Sequence, residues 1–215
     1  MPLLPRLAMK RADKPSPTPP RRPIGLFGGT FDPPHLGHLF AALVAMHRLG
    51  LEKVIFIPSG RPPHKPTWAV SPPADRLAMT KLAIGGQKGL VLSPIETRRR
   101  GISYTIDTVR AMRRRFPGRE MFFIVGADTA RDLPTWKSHR KLLGLVRFAV
   151  IARPGCRLRA IPGFLDSFIL LPTRGISLAS NRLRRVLAGG HIPPGSISKK
   201  VADYIRARGL YKRKV

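Results

Sequence analysis

The run Gly28-Gly29-Thr30-Phe31-Asp32-Pro33-Pro34-His35-Leu36-Gly37-His38 combines two features that suit phosphate chemistry. Adjacent glycines have no Cβ, so backbone N–H groups there can approach a phosphate closely. His35 and His38 are three residues apart. On the opening turn of a helix that spacing puts two imidazoles on one face, where both can donate to one polyphosphate. The start of such a helix adds unused N–H groups and a partial positive charge. The run is not a G-x-x-x-x-G-K-[ST] loop, since no Lys-Ser or Lys-Thr follows, and it is not the G-x-G-x-x-G fingerprint. A zinc site on the two histidines lacks a third and fourth ligand, and Cys156, the only cysteine, stands apart. The chemistry indicated is the binding of a polyphosphate. It asks a protein for positioning and charge neutralisation rather than a covalent nucleophile.

Such a turn needs a strand before it and a helix after it, and the chain provides both. Short apolar runs occupy residues 24–27, 54–57, 90–92, 121–125, 147–151 and 167–171. They are continuous rather than alternating, as strands covered on both faces require. Helical stretches lie between and after them, at 36–49, 74–84, 103–116, 138–143, 178–187 and 196–208, with Ser103 as a capping residue for the third. This alternation predicts an α/β fold, a Rossmann-like doubly wound parallel sheet in a single domain. The Gly28-Gly29 turn then falls at the carboxyl edge of the sheet, where ligands bind. The Pro-rich stretch 58–73 reads as a long functional loop.

The chain has 215 residues, enough for one domain that needs no disulfide staples. Its single cysteine agrees with a reducing, cytoplasmic setting. No apolar run approaches the roughly 18–20 residues of a membrane span, so no membrane partner is expected. Residues 1–22 are basic and Pro-rich without a sustained apolar segment. They read as a disordered tail rather than a signal peptide, ahead of a domain at 23–215. The formal net charge of +29 attracts phosphates of either a nucleic acid or a polyphosphate substrate. Neither an RNP aromatic pair nor a GXXG loop is present, so no specific nucleic acid is expected. The arginine triplets at 98–100 and 113–115 read as solvated faces.

GGTFDPPHLGH resembles the nucleotide-binding element of the HxGH nucleotidyltransferase superfamily. Pro62-Pro63-His64-Lys65, Ser103-Tyr104-Thr105, Gly126-Ala127-Asp128, Pro134-Thr135-Trp136 and the closing run from Tyr204 to Tyr211 narrow the likeness. With them the chain resembles the bacterial nicotinate-nucleotide adenylyltransferases from about residue 24 to 212. The resemblance implies transfer of AMP from ATP to nicotinate mononucleotide, giving deamido-NAD and pyrophosphate, with Mg²⁺ accompanying ATP. It also implies nicotinate rather than nicotinamide, and it leaves homo-oligomer formation open. His38 and His35 are the implied catalytic residues. Gly28, Gly29, Thr30, Phe31, Asp128, Ser180 and Arg184 join them around ATP. The second phosphate motif departs from the family's I-S-S-T-x-I-R. Two registers fit, one making Arg182 the motif arginine and the other Arg184. The second keeps an apolar residue before the arginine and Gly190 at the helix end. Thr105 matches the nicotinate carboxylate position, and Trp136 offers a face to a cationic pyridine ring. His64, Lys65 and Arg153 complete the mononucleotide side. Asp128 suits ribose hydroxyls or a helix N-cap, Trp136 stacking or burial, and His64 with Lys65 phosphates or solvent. The alternatives are another HxGH adenylyltransferase, such as one acting on phosphopantetheine, and a basic nucleic-acid-binding protein.

Overall fold

The computed structural model describes residues 21–63, 70–152, 168–173 and 180–212. Six parallel strands form one sheet: β1 (Ile24–Gly29), β2 (Lys53–Pro58), β3 (Leu90–Leu92), β4 (Met121–Gly126), β5 (Arg147–Ala152) and β6 (Phe168–Pro172). Their order is β3-β2-β1-β4-β5-β6. The chain winds outward twice from β1, whose Ile24 pairs with Lys53 on one side and Met121 on the other. The order reverses between β1 and β4, and a crevice opens there beyond the strand ends.

Both faces of this sheet are covered, which is why its strands read as unbroken apolar runs. Phe123 and Val125 enter one core with Ile24, Leu26 and Phe148. Phe122 and Ile124 alternate into the other with Phe27, Phe56 and Leu51. α3 (Thr105–Arg115) packs on the first face, and α1 (Leu36–Arg48) covers the second through Ala41, Ala42 and Ala45. A third cluster joins α2 (Pro73–Ile84), α6 (Ser180–Ala188) and α7 (Lys199–Ala207) around Met79, Leu183, Val201 and Ile205. This cluster brings the C-terminal part of the chain back to β1.

Several helix starts differ from expectation for local reasons. A backbone bridge pairs Arg61 with Ile102, and the Ser103 N–H donates to the Arg61 carbonyl at 2.9 Å. Ser103 is thereby held in extended backbone, and Tyr104 takes the cap position of α3. Ser198, not Ser196, caps α7 by accepting the Val201 N–H. The Ser196 carbonyl instead takes the Leu36 N–H, the first of α1, at 2.9 Å. α4 (Ala127–Arg131) was not foreseen, because five residues are too few to show a helical period. It leads through a 3-10 turn, Leu133–Thr135, to α5 (His139–Leu143). Residues 1–20 of the expected tail lie outside the described chain. Arg22 already docks, donating to the carbonyls of Gly50 and Leu51. No helix among the described residues is long and apolar enough to cross a membrane.

Candidate active site

The turn leaving β1 is held by aromatic packing. A Cβ on Gly28 would lie 2.8 Å from the Phe123 ring, and one on Gly29 would lie 3.0 Å from Phe31. The glycines are therefore required by neighbouring rings as well as by any phosphate. Phe31 has φ +49°, a conformation few bulky residues adopt. Its ring is only 1% exposed and sits among Phe27, Phe56 and His38 at 5.0–5.5 Å. The Phe31 side chain therefore belongs to the core.

Asp32 is the hub of this turn. It is fully buried and precedes a cis peptide to Pro33. Its Oδ1 accepts the Tyr211 hydroxyl at 2.6 Å and its Oδ2 accepts the Ser71 N–H at 3.1 Å. Its carbonyl accepts Arg184 Nη1 at 2.7 Å, while Ser180 Oγ donates to the Pro33 carbonyl at 3.3 Å. The start of α6 thus closes on the turn through the two residues expected there. Arg184 is half-buried against the turn and Arg182 is exposed, which favours the register ending at Arg184. Burial first, and then the Asp32 carboxylate, push the Tyr211 hydroxyl far above its usual range, so it stays a donor. Tyr211→Phe is expected to lower the unfolding free energy by about 2 kcal/mol, the worth of a hydrogen bond to a charged group, measured from the urea midpoint.

His35 and His38 open α1 together. Their rings stack with centroids 3.6 Å apart and planes 21° apart. The His35 backbone N–H donates to His38 Nδ1 at 3.1 Å. That acceptor role leaves the proton of a neutral His38 ring on Nε2, the far edge of the imidazole. Phe31 and Phe27 meet the His38 ring nearly edge-on and fix its plane.

Arg76 is the residue no motif signalled. It is wholly buried, and its guanidinium donates to carbonyls on three segments. Nε reaches Ser71 at 2.9 Å, Nη1 reaches Thr30 at 3.1 Å and also Ser59, and Nη2 reaches Gly60 at 2.9 Å. It fastens the turn after β1 to the loop after β2. Burial lowers its affinity for a proton, and Asp32, Tyr211 and Glu96 counter that effect. A sequence signal did exist: Arg76 shares the spacing of Met79, Thr80 and Ala83, so a charge lies on the buried stripe of α2.

A cavity of roughly 700 Å³ runs from Gly28, Gly29 and Thr30 to Tyr104, Thr105, Trp136 and Lys137. Thr105 begins α3 as expected of an anion-binding position. Trp136 is half-buried. One side packs edge-on against Phe123 and Phe148, and the residue still lines the cavity. Glu96 lines the same wall, and its Oε1 accepts the Thr108 hydroxyl at 2.7 Å. Burial pushes its carboxyl above the usual range, against that hydrogen bond and the Arg99 charge. Arg99 donates to Thr108 at 3.2 Å, so the first arginine triplet is not a wholly solvated face. Asp128 does not cap α4, because Gly126 holds that position. Its side chain is 68% exposed and pairs with Arg131 at 3.5 Å. His64, Lys65 and Arg153 lie outside the described residues.

The chain matches the Cytidylyltransferase-like family model over residues 26–186. It is 37% identical over 195 residues to a protein of Thermomicrobium roseum named "Probable nicotinate-nucleotide adenylyltransferase", covering 88% of this chain and 91% of that one. A protein of the same name from Thermus thermophilus is 43% identical over 189 residues, covering 88% and 99%. The fold is shared with the Plasmodium falciparum nicotinic acid mononucleotide adenylyltransferase complexed with NaAD. That match has a TM-score of 0.74 at 19% identity and covers 88% of this chain and 97% of that one. This degree of identity along nearly the full length of its relatives places the chain in the nicotinate-nucleotide adenylyltransferase family.

Proposed function

We propose that this enzyme transfers the AMP part of ATP to nicotinate mononucleotide, making deamido-NAD and pyrophosphate for NAD biosynthesis, with the following division of labour. The observation that carries the reading is that one cavity joins the β1 turn to Thr105 and Trp136. Two anionic substrates can therefore meet at the end of β1. A phosphate oxygen of the mononucleotide attacks the α-phosphorus of ATP, the bond to the β-phosphate oxygen breaks, and pyrophosphate leaves. The protein aligns the two and spreads cationic donors along the phosphates. His38 Nε2–H and His35 face the ATP phosphates, with Gly28, Gly29 and Thr30 beneath them. Arg184 and Ser180 approach from α6, already tied to the turn they serve. Asp128, exposed at the end of β4, is available to ribose hydroxyls, while Thr105 and Trp136 take the pyridine ring. His64, Lys65 and Arg153 are proposed to contact the mononucleotide.

A divalent ion, Mg²⁺ in this proposal, enters with ATP and neutralises phosphate charge. Among the described residues no group of three His, Cys, Asp or Glu side chains could hold a metal ion. In this proposal the ion is carried by the phosphates and water rather than by a protein cage. The reaction is assigned to the cytoplasm, where ATP is at hand. Pyrophosphate release from ATP, measured with nicotinate mononucleotide, nicotinamide mononucleotide and phosphopantetheine in parallel, tests the proposal. Release with the nicotinate compound above the others is expected. A preference for phosphopantetheine, or no release with any acceptor, overturns it.

A further inference from the structure

We propose that the side chain of Lys137 reads the acid group on the pyridine ring of the mononucleotide and sets the preference for acid over amide. The inference rests on the reading above for the identity of the acceptor, and it concerns a residue that no motif of the chain singles out.

Lys137 follows the stacking candidate Trp136 and lines the same cavity. Its Nζ lies 4.2 Å from the centroid of the Tyr104 ring. Tyr104 is the cap residue of α3, so the ammonium lies over the ring of the residue that opens that helix. The Asp107 and Thr108 N–H groups turn back to the Tyr104 carbonyl. Those of Thr105 and Ile106 have no partner among the described residues. Ser103, only 5% exposed, lines the cavity with a hydroxyl that has no hydrogen-bond partner. Ser103, Tyr104, Thr105 and Lys137 thus line the same cavity.

Charge decides what they are for. Among the described residues the lining carries two carboxylates, Glu96 and Asp132, and one cation, Lys137. Glu96 is engaged with Thr108 and Arg99. Lys137 makes no ion pair with any described carboxylate, and only the Tyr104 ring face attracts it. A cation set against a helix N-terminus repels it until an anion comes between them. A ring bearing a carboxylate supplies that anion, and a ring bearing a carboxamide does not. The ammonium therefore favours the acid specifically, whereas stacking on Trp136 treats the two rings alike.

The test compares wild type, Lys137→Gln and Lys137→Arg. It uses Kd for nicotinate mononucleotide and nicotinamide mononucleotide by calorimetry, and kcat/KM where turnover is measurable. The Gln variant is expected to bind the acid about 10-fold more weakly and the amide within roughly twofold of wild type, while Arg retains most of the preference. Equal losses for both compounds would mean that Lys137 touches the phosphate or ribose they share. That result, or no loss at all, overturns the inference. Failure of wild type to use the nicotinate compound would instead overturn the reading on which it rests, so the two failures are distinguishable.

Discussion

His38→Ala lowers kcat by about 10²–10³-fold, the loss found on deleting one transition-state donor, with a much smaller change in KM for ATP. The geometry gives the reason. His38 is oriented three ways, by the His35 N–H on Nδ1, by the stacked His35 ring and by the edges of Phe27 and Phe31. A donor fixed in this manner needs no reorganisation when charge builds on the leaving phosphates, and alanine leaves nothing in its place. Steady-state pyrophosphate release at saturating substrates measures the loss. Near-full turnover in the variant would remove His38 from the chemistry. His35 is more deeply buried and stacks beneath its partner, so replacing it should disturb stability along with rate.

Arg76→Met lowers the unfolding free energy by about 3–5 kcal/mol, as losses of one buried charged partner do. Methionine fills much of the volume but leaves the carbonyls of Thr30, Ser59, Gly60 and Ser71 without this donor, that of Gly60 in the buried interior. Lysine is expected to rescue little, since a single ammonium cannot span carbonyls arranged for a planar fork. The urea midpoint at unchanged m-value measures the effect. A loss below about 1 kcal/mol would show that water or relaxation replaces those bonds. Because the same fork ties the β1 turn to the loop after β2, surviving folded enzyme should also turn over slowly.

The sheet was legible because burial on both faces writes itself as continuous apolar residues, as in MFFIV at 121–125. The turn was legible because its glycines and histidines are adjacent in the chain. Features built from distant residues were not. Nothing near Asp32 announces that its carboxylate is met by Tyr211 and Ser71. Ser103 has the composition of a cap, yet the pairing of Arg61 with Ile102 decides its backbone. Nothing in the motif announces that the Phe31 ring packs on Phe27 and Phe56. Arg184 could be chosen over Arg182 by pattern, and the bond to the Asp32 carbonyl supplies the physical ground.

The link between Asp32 and Tyr211 spans 179 positions of the chain. During synthesis the turn after β1 leaves the ribosome before β4, which flanks it, and before the tyrosine that locks it. A nascent chain therefore carries the motif without the machine. Competence to handle nucleotide therefore waits until the residues after α7 fold back onto the first loop.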